Sequence, residues 1–213
     1  MPAYEKSVFI NCPYDGDFEP LFHAIVLTIV ARRFTPRCAR DTEGQADPRI
    51  VRIAQGLREC KYSIHDLSRY QGEGPDNLAR FNMPLELGMA LALRYLGEAA
   101  ERIGGNKHNW IALVPKDFVH QKFISDLAGI DASDHDQTAE RVIQRVSKWL
   151  SIQPDFTPPG PSAKAVLESY PAFCQKLAKI KADALGDLTW PDILREAQNA
   201  ADDLEKLSPT VHP

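Results

Sequence analysis

The chain has 213 residues, of which 44% are hydrophobic and 25% are charged, the composition of an ordinary globular protein with one ample domain. A formal net charge of −4 argues against a protein that mainly coats nucleic acid or anionic membrane. The longest apolar run, Leu21 to Ala31, is too short to span a bilayer, and the polar start Met1 to Ser7 does not resemble a signal segment. Its four cysteines form no CxxC pair, so no zinc cluster or disulfide scaffold is indicated, and we expect a cytoplasmic protein.

Short β-rich runs alternate with amphipathic runs along most of the chain. The run Ser7 to Cys12, closed by Pro13, predicts a buried first strand. In chain order, the patterns predict a strand over 7–12, a helix over 18–33, a strand over 34–39, a helix over 48–60, a strand over 61–67, a helix over 84–96, a strand over 109–114 and a helix over 133–150. This alternation predicts an α/β domain over 1–152, a flavodoxin-like doubly wound parallel sheet of about five strands with helices on both faces.

The character of the chain changes after Trp149. The segment 153–161 is rich in proline and is predicted to be a semi-rigid linker or surface crossing. Helices are predicted over 162–180 and 190–207, the second with Thr189 as its cap. This helical C-terminal extension, 162–213, is too small to bury a large core alone. We therefore expect it to dock on the domain or on a second copy of the chain. Docking on a second copy would make the protein a homo-oligomer, which is the expected state.

A single acidic residue, Glu86, interrupts an apolar helical pattern. The apolar positions around it are Leu85, Leu87, Met89, Ala90, Leu91 and Leu93, which would bury most faces of a helix. Glu86 is expected in the first turn, four residues after Asn82. Because desolvating a carboxylate costs several kcal/mol, such a residue needs a partner or a function.

Polar residues also follow three of the predicted strands. Ligands of parallel α/β sheets bind beyond the carboxyl ends of the strands, and the start of the Glu86 helix is expected at the same edge. Asp66 is expected to end the third strand there. The predicted substrate-binding residues at this edge are Asn11, Pro13, Tyr14, Asp15, Arg40, Asp41 and Ser68.

Three stretches carry a family resemblance: residues 7–15, residues 64–68, and the run from Asn82 to Ala90 that contains Glu86-Leu87-Gly88-Met89-Ala90. Together they resemble the superfamily that joins nucleoside 2-deoxyribosyltransferases with Toll/interleukin-1 receptor (TIR) domains. The resemblance covers roughly residues 7 to 150. It implies that Tyr14 lies in the aromatic-containing loop after the first strand, that Asp66 ends a later strand, and that Glu86 is the nucleophile. In enzymatic TIR domains, the matching glutamate acts in cleavage of the nicotinamide glycosidic bond of NAD.

The chemistry of that bond suits these residue types. Cleavage of a C1′–N bond passes through an oxocarbenium-like state, so a nearby carboxylate can stabilise the positive charge or attack covalently. Glu86 is the candidate for this role, and Asn82, one turn away, is predicted to orient the carboxylate or the sugar. Asp66 is predicted to grip the ribose or to act on the leaving base. Tyr14 is a candidate to stack on a base, and Arg40 to pair with a phosphate.

Structural alternatives stand beside each of these roles. Asn82 and Glu86 are also explained as helix caps, Tyr14 as a core or rim aromatic, and Arg40 and Asp41 as a surface ion pair. Other side chains are expected to be structural, namely Cys12, His65, and the acidic cluster Asp126, Asp131, Asp134 and Asp136 with His135, for which helix caps and a solvated turn outweigh a metal site.

The predicted function is an N-glycosidase that cleaves the base–ribose bond of NAD or a related nucleotide, with the nucleotide as substrate and no bound cofactor or metal. The resemblance also suggests a TIR-like effector that assembly or a signal activates. One alternative is a nucleoside or deoxynucleotide hydrolase or deoxyribosyltransferase. Another is a non-catalytic nucleotide-binding module for signalling or assembly. Neither a nucleic-acid partner nor a membrane partner is expected.

Overall fold

In the computed structural model, the described residues are 3–72, 79, 81–96, 107–116, 118–158, 160–186 and 188–207. They include five parallel strands: β1 (Ser7–Asn11), β2 (Thr35–Cys38), β3 (Tyr62–Asp66), β4 (Asn109–Val114) and β5 (Ser133–Asp134). The strands form one sheet in the order β2-β1-β3-β4-β5, with every pair parallel. This is the flavodoxin-like strand order, in which the direction of winding reverses between β1 and β3.

The helices are α1 (Glu19–Ala31), α2 (Arg49–Arg58), α3 (Asn82–Tyr95), α4 (His120–Phe123), α5 (Ala139–Ser151), α6 (Ala163–Asp183) and α7 (Trp190–Leu207). The five-stranded parallel sheet flanked by helices, with helices at the C-terminal end, confirms the predicted fold class. Within the described part of the chain, no helix is both long enough and apolar enough to cross a membrane.

Two sequence predictions about these elements were wrong. The predicted helix over 133–150 begins only at Ala139, because Asp136 and Gln137 take positive φ angles of 47° and 53° and interrupt it. The segment before that break is β5, which pairs with the end of β4. Helix α3 starts at Asn82 rather than at Pro84, so Glu86 lies in its second turn and not in its first.

The chain forms two compact units: residues 1–18 with 35–137, and residues 19–34 with 138–213. The first unit contains the whole sheet together with α2 and α3. These two helices pack on each other, and an apolar cluster joins Phe9, Ile53, Leu57, Cys60 and Ala90. A second cluster joins α3 to β4 and the segment after it, through Leu67, Met83, Leu87, Ala112, Val114 and Leu127. These contacts fix the start of α3 beside the carboxyl edge of the sheet.

In the second unit, α1 packs against α5, α6 and α7. The ring of Phe22 lies 5.9 Å from the ring of Trp190, and Lys181 pairs with Glu19 at 2.9 Å. Thr189 Oγ1 accepts a hydrogen bond from the backbone N–H of Asp192 at 3.3 Å, the predicted cap of α7. The C-terminal helices therefore pack on α1 within the second unit. This unit combines residues from before and after position 152.

Candidate functional site

The central strand β3 buries an unusual number of polar side chains. All five of its residues are buried, and Ser63, His65 and Asp66 are each 0% exposed. Polar groups are retained in such a place when hydrogen bonds offset the loss of water. Strand alternation places Ser63 and His65 on one face and Asp66 on the other.

Asp66 lies beside His135, a residue that the sequence analysis assigned to a solvated turn. His135 is also 0% exposed, and its Nε2 lies 3.0 Å from Asp66 Oδ2 and 3.0 Å from Ser68 Oγ. The backbone N–H of Gln137 donates to His135 Nδ1 at 3.0 Å, so in the neutral ring the hydrogen is on Nε2. The expectation of a solvated turn was therefore wrong for His135.

The hydrogen on His135 Nε2 is directed to Ser68 Oγ rather than to the carboxylate. Asp66 Oδ1 accepts a hydrogen bond from the backbone N–H of Ser68 at 2.9 Å. Asp66 Oδ2 has no hydrogen-bond partner among the described residues, although the imidazole lies within ion-pair distance. The carboxylate is thus held in place at one oxygen and offers the other as an acceptor.

Glu86 is the second buried carboxylate of this edge, with 4% of its surface exposed. Burial raises its pKa to about 7, against a smaller opposite effect of the Arg49 guanidinium. Within the described ranges, no hydrogen bond or ion pair reaches its carboxylate. Leu85, next to it, was predicted to be buried but is 57% exposed, so the polar residue faces inward and the apolar one faces solvent.

The charge of Arg49 acts on the pKa of Glu86, and the charge of Glu86 acts on the pKa of Tyr14. The Arg49 guanidinium carbon is 5.8 Å from the centre of the Tyr14 ring, a cation–π distance. The Tyr14 hydroxyl donates to the carbonyl of Ile10 at 3.2 Å, and burial raises the pKa of this hydroxyl, while the residue as a whole is 36% exposed. Tyr14 is therefore anchored at its hydroxyl end and presents part of its ring to solvent.

The pKa of Cys12 is affected by several acids of this edge. Its thiol is buried, and burial raises its pKa well above the usual value. Three carboxylates raise it further, in the order Asp66, Glu86 and Asp15. Each of these carboxylates therefore disfavours the thiolate form of Cys12, the residue directly after β1. The thiol is kept protonated and is not a nucleophile.

Asp15 is engaged by a side chain that sequence reasoning missed. Arg69 Nε donates to Asp15 Oδ2 at 3.0 Å, and a terminal guanidinium nitrogen of Arg69 donates to Oδ1. The backbone N–H of Phe18 also donates to Oδ1 at 3.1 Å. This carboxylate ties the loop after β1 to the loop after β3.

The remaining predicted residues occupy different surroundings. Arg40 Nε lies 3.8 Å from Glu43, and Asp41 pairs with Arg37. Asn82 is exposed at the first position of α3, and Phe81 holds the cap position, so the interpretation of Asn82 as the cap was wrong. Asn82 makes no hydrogen bond to Glu86 within the described residues.

Asn11 lies at the end of β1 and is 1% exposed. Its amide nitrogen lies 3.0 Å from His65 Nδ1 and 3.2 Å from the carbonyl oxygen of Met83 in the first turn of α3. Pro13, two residues on, is buried. Asn11 therefore connects β1 to β3 and α3, the two elements that supply the buried carboxylates Asp66 and Glu86.

Three comparisons, with protein-family models, with curated proteins and with solved structures, found no match for this chain. The fold and the site together define its class, a flavodoxin-like α/β protein with buried carboxylates where the strand order reverses. No group of three or more His, Cys, Asp or Glu residues in the described part of the chain is arranged to hold a metal ion.

Proposed function

We propose that the chain is an N-glycosidase that cleaves the base–ribose bond of NAD or a related nucleotide. The observation that carries the proposal is the Glu86 carboxylate, which is buried and has no partner among the described residues. An unpaired buried carboxylate is costly, and a positively charged transition state compensates for that cost during the reaction. The position at the carboxyl edge of the sheet supports a ligand site.

The proposed reaction breaks the C1′–N bond, and the departing base takes the bonding electron pair. Ionised Glu86 stabilises the oxocarbenium-like ribosyl group or forms an ester with C1′. Water then adds its oxygen to C1′ and loses one proton, which leaves the free base and the hydrolysed sugar nucleotide. The cationic nicotinamide ring of NAD and the Arg49 guanidinium both favour the ionised form of Glu86.

The other residues take binding roles in this proposal. Asp66, fixed by Ser68 and His135, accepts a hydrogen bond from the ribose or the base through Oδ2. We assign phosphate pairing to Arg49 rather than to Arg40, because Arg49 is exposed beside Glu86 and Tyr14 whereas Arg40 pairs with Glu43. Tyr14 stacks on a base with the exposed part of its ring.

Membership of the TIR and deoxyribosyltransferase superfamily belongs to the same proposal, as do a cytoplasmic location and self-association through the C-terminal helices. The Glu86 to Ala90 run and the strand order support membership of the superfamily.

Self-association is tested by the mass of the full chain in light scattering over a concentration series, and a monomer at all concentrations contradicts it.

The substrate class is tested by incubating the purified chain, dilute and concentrated, with NAD, NADP and a panel of nucleosides and deoxynucleosides. Released base is measured by mass spectrometry. Free nicotinamide supports the NAD reaction, and release from a nucleoside alone moves the substrate to the hydrolase or transferase alternative. Binding without any release favours the non-catalytic module and contradicts the proposal.

A further inference from the structure

A line of buried polar side chains runs from His108, the residue before β4, across β3 to Asn11 at the end of β1. Asn11 Nδ2 lies 3.0 Å from His65 Nδ1, and His65 Nε2 lies 2.7 Å from Ser63 Oγ. Ser63 Oγ lies 2.8 Å from Nε2 of His108, whose Nδ1 is 3.0 Å from the carbonyl oxygen of Cys60. All four side chains are at most 2% exposed.

The Cys60 carbonyl, at the end of the line opposite Asn11, sets the direction of every hydrogen bond in the line. The Cys60 carbonyl only accepts, so His108 donates from Nδ1. Burial lowers the pKa of His108 to about 4 and that of His65 to about 3, so both rings are neutral and each has one donor and one acceptor. His108 Nε2 therefore accepts from the Ser63 hydroxyl, and Ser63 Oγ accepts from His65 Nε2. His65 Nδ1 is then an acceptor, and Asn11 donates to it.

The consequence is a fixed orientation of the Asn11 amide. Its NH₂ group donates both hydrogens, one to His65 Nδ1 and one to the Met83 carbonyl. Its Oδ1 is buried and has no hydrogen-bond partner in the described part of the chain. Rotating the amide by 180° would set Oδ1 against the lone pair of His65 Nδ1 and against the Met83 carbonyl, so the open acceptor stays where it is.

A second open acceptor lies on the neighbouring strand. Asn11 pairs with His65 in the register of β1 and β3, so Asp66 is one residue further toward the carboxyl edge. Asp66 Oδ2 also lacks a hydrogen-bond partner among the described residues. Asp66 alternates to the opposite face of the sheet from Asn11 and His65, and His135 Nε2 lies 3.0 Å from its Oδ2, so the two acceptors are separate. Asn11 Oδ1 is the acceptor that a single ligand hydroxyl would satisfy.

We propose that Asn11 is a specificity-determining residue whose Oδ1, held by the His65–Ser63–His108 line, accepts a hydrogen bond from a ribose hydroxyl, so that the site selects ribonucleotides over 2′-deoxyribonucleotides. The identity of the ligand rests on the proposed function. The 2′ hydroxyl of a ribose provides the donor for Asn11 Oδ1. A deoxy ligand leaves one buried acceptor unpaired, which lowers affinity by about tenfold to a hundredfold.

The test uses Glu86→Gln protein, in which ligand is not consumed. Binding is measured by calorimetry for two pairs of probes, the ribo and 2′-deoxyribo 5′-monophosphates of nicotinamide riboside and of adenosine. We expect a ribo form to bind at least about tenfold more tightly than its deoxy partner. Adding Ser63→Ala interrupts the line and is expected to reduce that preference to under about threefold, because His65 can then take the other tautomer and only the Met83 carbonyl still orients the Asn11 amide.

The matched control is Ser7→Ala, which changes another fully buried strand serine, whose hydroxyl donates to the Ala3 carbonyl at 3.0 Å. It is expected to leave the preference unchanged. A second readout is independent of ligand: long-range ¹H–¹⁵N spectra should show the hydrogen of His65 on Nε2 and that of His108 on Nδ1.

Equal binding of ribo and deoxy forms, no binding of either form, or the opposite tautomer of His65 each overturns the inference. Base release without ribose preference leaves the proposed function standing and removes this inference. A ribose preference without base release supports this inference and contradicts the proposed function.

Discussion

Nε2 of His135 lies 3.0 Å from Oδ2 of Asp66, and both side chains are fully buried. The turn after β5 thereby reaches the end of β3. There, Ser68 Oγ lies 3.0 Å from His135 Nε2, and the backbone N–H of Ser68 donates to Asp66 Oδ1 at 2.9 Å. In the proposed reaction His135 is a positioning residue, which holds Asp66 through Ser68 and by its own bulk.

Replacing His135 by alanine tests that role. We expect His135→Ala to lower kcat/KM for base release by about 10- to 100-fold, with most of the effect in KM, because Asp66 loses its fixed orientation. His135→Gln keeps an N–H donor toward Ser68 and should recover part of the loss. Unchanged kinetics in a folded alanine variant, checked by circular dichroism, would remove His135 from the account.

Glu86 should make stability depend on pH. Its pKa in the folded chain is about 7, above the ordinary 4.5, so the folded state favours the protonated form. The free energy of unfolding therefore contains a contribution that is complete below about pH 4.5 and is lost as pH rises through 7, up to ~3 kcal/mol in total. Glu86→Gln should be more stable than wild type at pH 8 and nearly equal to it at pH 5, as measured by urea denaturation.

The control for that measurement is Glu140→Gln, which changes an exposed glutamate on α5. It should show the same pH dependence as wild type. A wild-type curve that is parallel to the Glu86→Gln curve from pH 5 to pH 8 would mean that burial does not perturb this carboxylate.

The rate of base release should depend on pH through the same group. If the ionised form of Glu86 acts at C1′, kcat/KM rises with pH and levels off above about pH 7, the pKa of Glu86 in the free enzyme. The measurement is kcat/KM from pH 5 to pH 9. A rate that falls over this range would indicate that the protonated acid acts instead.

Two glycines offer a paired test of the packing that fixes the site. A Cβ on Gly56 in α2 would lie 2.6 Å from Cε2 of the buried Phe9 ring, whereas a Cβ on Gly88 in α3 meets nothing within 4 Å. We expect Gly56→Ala to destabilise the fold by ~1–3 kcal/mol and Gly88→Ala to stabilise it by ~0.5–1 kcal/mol. Thermal or urea unfolding measures both, and equal effects would contradict the close approach of α2 to β1.

The sequence alone predicted much of the fold, because strands with continuous apolar burial and helices with caps leave local patterns. The run Ser7 to Asn11 is an example, since its three central residues, Val8, Phe9 and Ile10, are apolar and all five residues are buried. Strand β5 escaped prediction because it has only two residues, Ser133 and Asp134, and its order depends on pairing with β4 rather than on its own composition.

The site was predicted in part. Glu86 is an acid inside an apolar run, and Asp66 is an acid at the expected end of a strand, and a sequence displays both features. His135, Arg49 and Arg69 gave no such signal, because their positions depend on contacts between segments far apart in the chain. His65 was expected to be structural, and the direction of its hydrogen bonds depends on His108 and the Cys60 carbonyl, which no local pattern reveals.

The most direct test of the central claim is nicotinamide release from NAD by wild type, Glu86→Gln and Glu140→Gln, assayed together at pH 8. The account predicts release by wild type and by Glu140→Gln, and a loss of at least about a hundredfold in folded Glu86→Gln. Full turnover by Glu86→Gln, or no release by concentrated wild type, would contradict it.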